Sequence, residues 1–131
     1  MNSNNHITVD QIKNDAEVIK KELVEWRHYL HAHPELSFKE ERTTHYIVNK
    51  LKNFGYTDIQ IGFGPLKTGV MVEIGSGRPC VMLRADIDAL PIQEQTGVEF
   101  CSQSKGVSHA CGHDAHITNL LGVAKLLKKY E

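Results

Sequence analysis

Apolar positions near the start of the chain recur at alternating steps of four and three residues. This spacing places them along one face of an α-helix, which is typical of a helix packed on a core. Thr8 followed by Gln11 has the pattern of an N-terminal capping box, and Pro34 disfavours helical backbone at His33. The sequence therefore predicts a first helix that begins after Thr8 and ends near His31. Its apolar positions are Ile12, Ala16, Ile19, Leu23, Trp26 and Leu30.

A second helix is predicted after the linker HAHPELS. Ser37 and Glu40 have the spacing of another capping box, and Gly55 stands where a glycine after a helix C-terminus is expected. The apolar face between them consists of Ile47, Val48, Leu51 and Phe54.

The hydrophobic period then changes from that of a helix to that of β-strands. Apolar runs cover residues 58–62, 69–75 and 79–86, and a short strand over residues 98–102 also fits the pattern. The turn sequence GSGR predicts that the second and third runs form an antiparallel hairpin. The third run is apolar on both faces, which predicts a central strand. A closing helix follows, with apolar positions at Ile117, Leu120, Leu121, Ala124, Leu126 and Leu127. The predicted fold class is α/β, with helices packed on a mixed β-sheet.

Length, composition and charge are those of one small globular domain. The chain has 131 residues, of which 40% are hydrophobic and 24% charged, and a formal net charge of −1. The small net charge gives no reason to expect nucleic acid or an acidic membrane as a partner. No apolar run approaches the roughly 20 residues of a membrane-spanning helix. The N-terminus resembles no signal peptide, so a cytoplasmic location is expected.

The three cysteines are expected to be reduced, because their number is odd and their spacing forms no disulfide framework. Cys80 and Cys101 lie inside predicted strands and are expected to be buried structural residues. Cys111 differs, because its neighbours are metal-ligand types rather than apolar residues.

Chemistry-bearing residues gather at two places. Asp86 and Asp88 follow an apolar strand, where ligands bind in open α/β sheets. Two such carboxylates bind a cation or orient a ligating imidazole, although aspartates at a strand end also hold backbone amides in a turn.

The second place is the segment HACGHDAH, residues 109–116. A single glycine, Gly112, separates Cys111 from His113 and allows a tight turn, so both side chains can face one ion; zinc accepts both ligand types. Asp114 is expected to cap the closing helix. His109 and His116 are compatible with hydrogen bonding to a ligand or with exposure to water.

The remaining histidines have structural interpretations. His28, His31 and His33 are expected at the surface or packed between helices, and His45 is expected to be exposed. His6 lies in the N-terminal tail.

Several classes of functional site could in principle explain this pattern of residues. A redox dithiol needs a second nearby cysteine, and the chain has no Cys-x-x-Cys. A structural zinc site needs about four protein ligands, of which Cys111 and His113 supply two. A cysteine nucleophile with a histidine base remains open. A metal hydrolase with part of its ligand set in this segment fits best.

Four ordered blocks resemble the N-terminal part of a known enzyme family. The blocks are WRHYLHAHPELSFKEERT, GVMVEIGSGRP, LRADIDALPIQE and SHACGHDAHITNLLGVAKLL. They resemble metal-dependent amidohydrolases of the hippurate hydrolase, N-acetyl-diaminopimelate deacetylase and auxin-conjugate hydrolase type. These are a branch of the dinuclear zinc-peptidase family that also contains aminoacylases.

The resemblance implies roles for individual residues. Cys111 and His113 match the two metal ligands of the Cys-Gly-His-Asp segment. Asp88 matches a supporting aspartate and is expected to assist catalysis, and Asp86 takes the position of a histidine ligand in related peptidases. The HPELS block is expected to shape the corner between the first two helices.

The resemblance also implies cofactors, substrates and partners. The full enzyme would use a divalent metal, with zinc, manganese or cobalt as candidates and two ions in the complete site. The reaction would be hydrolysis of the amide bond of an N-acyl amino acid, with a glutamate as general base. Homo-oligomers would assemble through a lid domain.

The family pattern places the lid, the general base and the other ligands downstream of Glu131. Residues 1–131 are therefore expected to be a partial catalytic domain, the truncated N-terminal part of a zinc-peptidase-like domain without its lid and C-terminal half. Such a chain is expected to be inactive alone and to expose apolar edges. The alternative is a non-enzymatic α/β module that binds metal or a partner.

Overall fold

The structure is a computed structural model, and it describes residues 6–63 and 65–131. Three helices and two short strands follow one another: α1 (Val9–Ala32), α2 (Glu41–Phe54), β1 (Ile59–Ile61), β2 (Val70–Val72) and α3 (His113–Tyr130). The fold class is confirmed as helices packed with a small β-sheet. None of the described helices is both long enough and apolar enough to span a bilayer.

The first helix has the predicted ends. Thr8 is its N-cap: the Thr8 hydroxyl accepts from the Gln11 amide, and the Gln11 side chain accepts from the Thr8 amide, so the capping box is formed. The helix ends at Ala32, two residues before Pro34.

The second helix is capped differently from the prediction. Its N-cap residue is Glu40, and its C-cap is the predicted Gly55 in the left-handed conformation, with φ 99°. The Ser37 capping box is wrong. The Glu35 carboxylate instead accepts from the backbone amides of Arg42 (3.1 Å) and Thr43 (2.7 Å). A carboxylate reaching these free amides replaces the hydroxyl that the pattern suggested.

The sheet is smaller than predicted. The strands predicted within residues 58–62 and 69–75 are confirmed, and they pair with each other in antiparallel register, Ile59 opposite Val72. The hairpin between residues 69–75 and 79–86 is wrong, because β2 takes β1 as its partner. Residues 79–86 form no strand within the described residues, and residues 98–102 contain a turn. Cys80 and Cys101 are therefore exposed, contrary to the expectation of burial.

The hydrophobic core lies between the three helices. It is formed by Trp26, Leu30, Ile47, Leu51, Tyr56, Ile117 and Leu121. The Tyr56 hydroxyl donates to the carbonyl of Ala124 (2.9 Å), which ties the end of α2 to α3. This packing holds the N-terminus of α3 beside the end of α1.

We expect Leu30→Ala to lower the free energy of unfolding by about 2–5 kcal/mol, because it removes a core side chain and leaves a cavity. Leu30 is only 1% exposed. The matched control is Val18→Ala on the same helix, where the side chain is 80% exposed and the change should stay within about 0.5 kcal/mol. Urea denaturation followed by circular dichroism measures both. Equal losses for the two variants would contradict the core assignment.

We expect the purified 131-residue chain to self-associate through the exposed apolar segment 79–83. Val81 and Met82 are 80% and 82% exposed, and an exposed apolar segment favours contact with another chain. Size-exclusion chromatography with light scattering should show a concentration-dependent increase in mass. Val81→Lys combined with Met82→Glu should reduce it, whereas Val9→Lys, at another exposed position, should not. A wild-type chain that stays monomeric at every concentration would refute this prediction.

Candidate metal centre

The segment 109–116 turns sharply before it enters α3. Gly112 is the N-cap of the helix and has φ 90°, in the left-handed region that favours glycine. The expected tight turn between Cys111 and His113 is thus present. Cys111 is exposed, and His113 is the first residue of α3.

His113 is held by Asp88. The Nδ1 atom of His113 lies 3.0 Å from a carboxylate oxygen of Asp88 and 2.9 Å from its backbone carbonyl. Both oxygens only accept hydrogen bonds, so Nδ1 carries the proton and donates. In the neutral ring, Nε2 then has the free lone pair that a metal requires.

Asp88 is itself positioned by the HPELS corner. The amide of the next residue, Ala89, donates to the carbonyl of Glu35 (2.8 Å), and Leu36 and Ala89 form an isolated parallel bridge. Leu90 and Ser108 exchange two backbone hydrogen bonds of 3.0 Å. The corner, the Asp88 segment and the start of the 109–116 segment are therefore connected through the backbone.

Asp114 has a different role from the predicted helix cap. It lies in the first turn of α3 and is fully buried, and its Oδ2 atom accepts from Arg27 Nε (2.9 Å) and contacts His31 Nδ1 (2.6 Å). The other oxygen, Oδ1, has no partner among the described residues. The cap prediction is wrong because the side chain faces α1 rather than the free amides of its own helix.

His31 connects Asp114 to the loop before the 109–116 segment. Its Nε2 atom lies 2.8 Å from Glu94 Oε1. Glu94 also accepts from the Thr96 hydroxyl (2.5 Å) and the Ser102 amide (2.6 Å). Burial alone would raise the pKa of Glu94, but the bonds from His31, Thr96 and Ser102 outweigh it and lower the pKa to about 2.

The chain is similar to several known metal-dependent hydrolases and peptidases. A sequence profile of peptidase family M20/M25/M40 matches residues 82–131. An N-acyl-L-amino acid amidohydrolase of Geobacillus stearothermophilus is 44% identical over 125 residues, which are 94% of this chain and 33% of that protein. An N-acetyl-L-cysteine deacetylase of Bacillus subtilis is 50% identical over 113 residues, 85% of this chain and 26% of that protein. A solved dinuclear metal-binding peptidase of the M20 family from Bacillus subtilis matches with a TM-score of 0.76 and 44% identity, over 87% of this chain and 32% of that one.

The chain is similar to part of the proteins of peptidase family M20/M25/M40. It spans about a third of the length of the amidohydrolase and of the solved peptidase. The resemblance to metal-dependent amidohydrolases is therefore confirmed. The family profile covers Asp88, Cys111 and His113.

The described part of the M20-related chain does not complete a metal centre. Within residues 6–63 and 65–131, no group of three or more histidine, cysteine, aspartate or glutamate side chains is close enough to hold an ion. Asp86 pairs with Arg84 at the surface. His116 is exposed, and its ring centre lies 5.6 Å from that of His113.

His109 is buried, whereas the sequence was compatible with its exposure to water. It is 4% exposed, and neither ring nitrogen has a hydrogen-bond partner among the described residues. Burial lowers the pKa of His109, while the Asp114 charge opposes the shift. His109 is thus a neutral imidazole inside the fold, next to the metal-ligand candidates in sequence.

The network around His31 was missed by sequence reasoning. Arg27 and His31 are four residues apart and therefore share one face of α1, which was the available signal. Glu94 lies in a loop with no recognisable motif, and nothing in the sequence singled it out.

We expect the stability of the chain to fall in acid partly because of Glu94. Its folded-state pKa of about 2 lies below the ordinary value of 4.5, so the unfolded state binds the proton more tightly. The stabilisation is present above pH 4.5 and is lost as the pH falls toward 2. Glu94→Gln should lower stability at neutral pH and flatten the decline in this window, as measured by urea denaturation at a series of pH values.

The control for this experiment is Glu99→Gln, an exposed position in the same loop. Its curve should follow that of the wild type. If the free energies of unfolding of the wild type and Glu94→Gln fell in parallel with decreasing pH, Glu94 would not couple folding to pH.

Proposed function

We propose that this chain supplies part of the metal site of an M20-type amidohydrolase. In this proposal Cys111 and His113 are ligands of a divalent metal, and Asp88 orients His113. The observation that carries the proposal is the contact of Asp88 with Nδ1 of His113. The exposed Cys111 lies two residues before His113 in the sequence.

The contact with Asp88 is the arrangement that ligating histidines usually have. A carboxylate that accepts from one ring nitrogen sets the tautomer, fixes the ring and makes the other nitrogen more basic. Among the described residues, His113 Nε2 makes no hydrogen bond, so it remains free for a ligand. Asp88 thus acts as a positioning residue for His113.

The donor set indicates which metals would fit. A thiolate and an imidazole suit zinc, and manganese or cobalt can take the same place. We propose two ions in the full-length enzyme, because the solved M20 relative is described as a dinuclear metal-binding peptidase.

The proposed reaction is hydrolysis of the amide bond of N-acyl amino acids or related small amides. It is supported by the names of the relatives, an N-acyl-L-amino acid amidohydrolase and an N-acetyl-L-cysteine deacetylase. A bound divalent metal would polarise the amide carbonyl and lower the pKa of a coordinated water. A cytoplasmic location and assembly through a lid domain stay predictions.

We propose that the 131-residue chain binds metal without turning over substrate. Catalytic zinc sites use about three protein ligands and one open position. Among the described residues, no group of three or more histidine, cysteine, aspartate or glutamate side chains could hold an ion, and Cys111 and His113 are only two candidates. By itself the chain would therefore behave as the metal-binding module that the sequence also allowed.

We expect cobalt(II) titration to test the ligand assignment. A cobalt–thiolate bond produces a charge-transfer band in the near ultraviolet, so this band should grow with added cobalt in the wild-type chain. Cys111→Ser should abolish it, and His113→Asn should weaken cobalt affinity by about 10-fold or more, the loss typical even of supporting residues.

The other two cysteines provide matched controls. Cys80 and Cys101 are exposed like Cys111, so Cys80→Ser and Cys101→Ser should retain the band. A band that survives Cys111→Ser would refute the assignment. The same samples, incubated with an N-acetyl amino acid and zinc, manganese or cobalt, should release no acetate; turnover that Cys111→Ala abolishes would show instead that the chain alone is an enzyme.

A further inference from the structure

His31 lies between two carboxylates inside the fold. Its Nδ1 atom is 2.6 Å from Asp114 Oδ2, and its Nε2 atom is 2.8 Å from Glu94 Oε1. The side chains of His31, Glu94 and Asp114 are 9%, 6% and 0% exposed. Each end of the ring thus faces an acidic group that water hardly reaches.

The hydrogen-bond chemistry of this arrangement determines the charge of the ring. A carboxylate accepts hydrogen bonds and donates none, whereas a neutral imidazole carries only one N–H. With a neutral ring, one of the two contacts would oppose lone pairs at hydrogen-bond distance. With Asp114 and Glu94 ionised, both contacts are satisfied when His31 is an imidazolium that donates from both nitrogens. Arg27 Nη2 also lies 3.4 Å from His31 Nδ1, but at that distance it competes poorly with the 2.6 Å contact to Asp114.

The charge count leads to the same result. Arg27 donates to Asp114 from its Nε atom at 2.9 Å. With His31 positively charged, two cations balance the two carboxylates of Asp114 and Glu94. With His31 neutral, a negative charge would be left in a buried site, which is costly.

The three residues come from three parts of the chain that meet at the first turn of α3. His31 belongs to the last turn of α1, Glu94 to the loop over residues 91–107, and Asp114 to the first turn of α3. Asp114 directly follows His113 and is three residues after Cys111. The position of Asp114 therefore determines where the Cys111–His113 turn lies.

We infer that His31 is a positioning residue for metal binding: as an imidazolium held between Asp114 and Glu94, it locks the first turn of α3 so that Cys111 and His113 face the same ion. This inference rests on the proposed function of Cys111 and His113. It assigns to a histidine of the first helix a role in a site that it does not touch.

The test compares cobalt affinity in His31→Gln with that in the wild-type chain. Glutamine removes the charge and can donate to only one carboxylate at a time. We expect a folded His31→Gln chain to bind cobalt about 10- to 100-fold more weakly, as found for residues that support metal ligands. The near-ultraviolet thiolate band should weaken in parallel.

The controls separate positioning from a general loss of stability. Leu51→Ala removes a core side chain of α2 that is 4% exposed and lies outside the charge network. It should lower stability but leave cobalt affinity unchanged. His45→Gln, at an exposed histidine of α2, should change neither. Unchanged cobalt affinity in folded His31→Gln would overturn the inference, as would an equal loss in Leu51→Ala.

A second measurement uses the unmodified chain and does not depend on folding of a variant. Nitrogen-15 spectra of histidine-labelled protein, assigned with His31→Gln or by through-bond transfer, should show both ring nitrogens of His31 protonated at neutral pH. An unprotonated nitrogen would overturn the inference even if His31→Gln does not fold. The wild-type chain could also contain the imidazolium but show no cobalt–thiolate band. That result would refute the proposed function and, with it, the positioning role of His31, whose charge would then serve only the stability of the fold.

Discussion

The buried carboxylate of Asp114 is the constraint on which the arrangement of the helices depends. A carboxylate removed from water is tolerated only where cations or donors compensate it. Arg27 and His31 do so from one face of α1, one helical turn apart. The end of α1 must therefore lie against the first turn of α3, which also brings Trp26 and Ile117 into the same core.

The opposite side of the same turn is held by a second set of contacts. Glu35 caps α2 with its carboxylate and accepts the amide of Ala89 with its carbonyl. This fixes the backbone on which Asp88 sits, and Asp88 in turn holds Nδ1 of His113. The HPELS corner has no side chain in the candidate site, but it places the residue that orients the imidazole.

The sequence predicts the helices of this chain better than its strands. Hydrophobic periodicity and the Thr8 capping box place the ends of α1 within a residue or two, and periodicity alone indicates α3, because local spacing determines which face is buried. The run at residues 79–86 has strand composition, but strand formation requires a hydrogen-bonding neighbour, and local sequence does not specify one. The Ser37 cap is wrong because α2 begins only at Glu41. At that start the Glu35 carboxylate accepts from the free amides of Arg42 and Thr43.

The candidate site likewise contains residues that the sequence predicts and residues that it does not. Cys111, His113 and the supporting role of Asp88 could be predicted from the sequence because they belong to motifs with a characteristic spacing. The His31–Glu94 contact joins residues 63 positions apart, and only the packed structure brings such groups together. The family profile spans residues 82–131, which contain the motif residues, whereas the charge network is visible only in the contacts.

In the proposed metal site, the turn over residues 111–114 would serve metal binding and folding together. Gly112 reverses the backbone in a left-handed conformation, which leaves Cys111 at the surface and starts the helix at His113. Asp114, the next residue, turns inward, and its Oδ2 atom is occupied by Arg27 and His31. Asp114 is thus removed from the set of available metal donors by its burial and not by its chemistry. Within residues 111–114, the proposed donors that remain are the thiol of Cys111 and Nε2 of His113, so the network that compensates Asp114 limits which side chains of this turn can bind an ion.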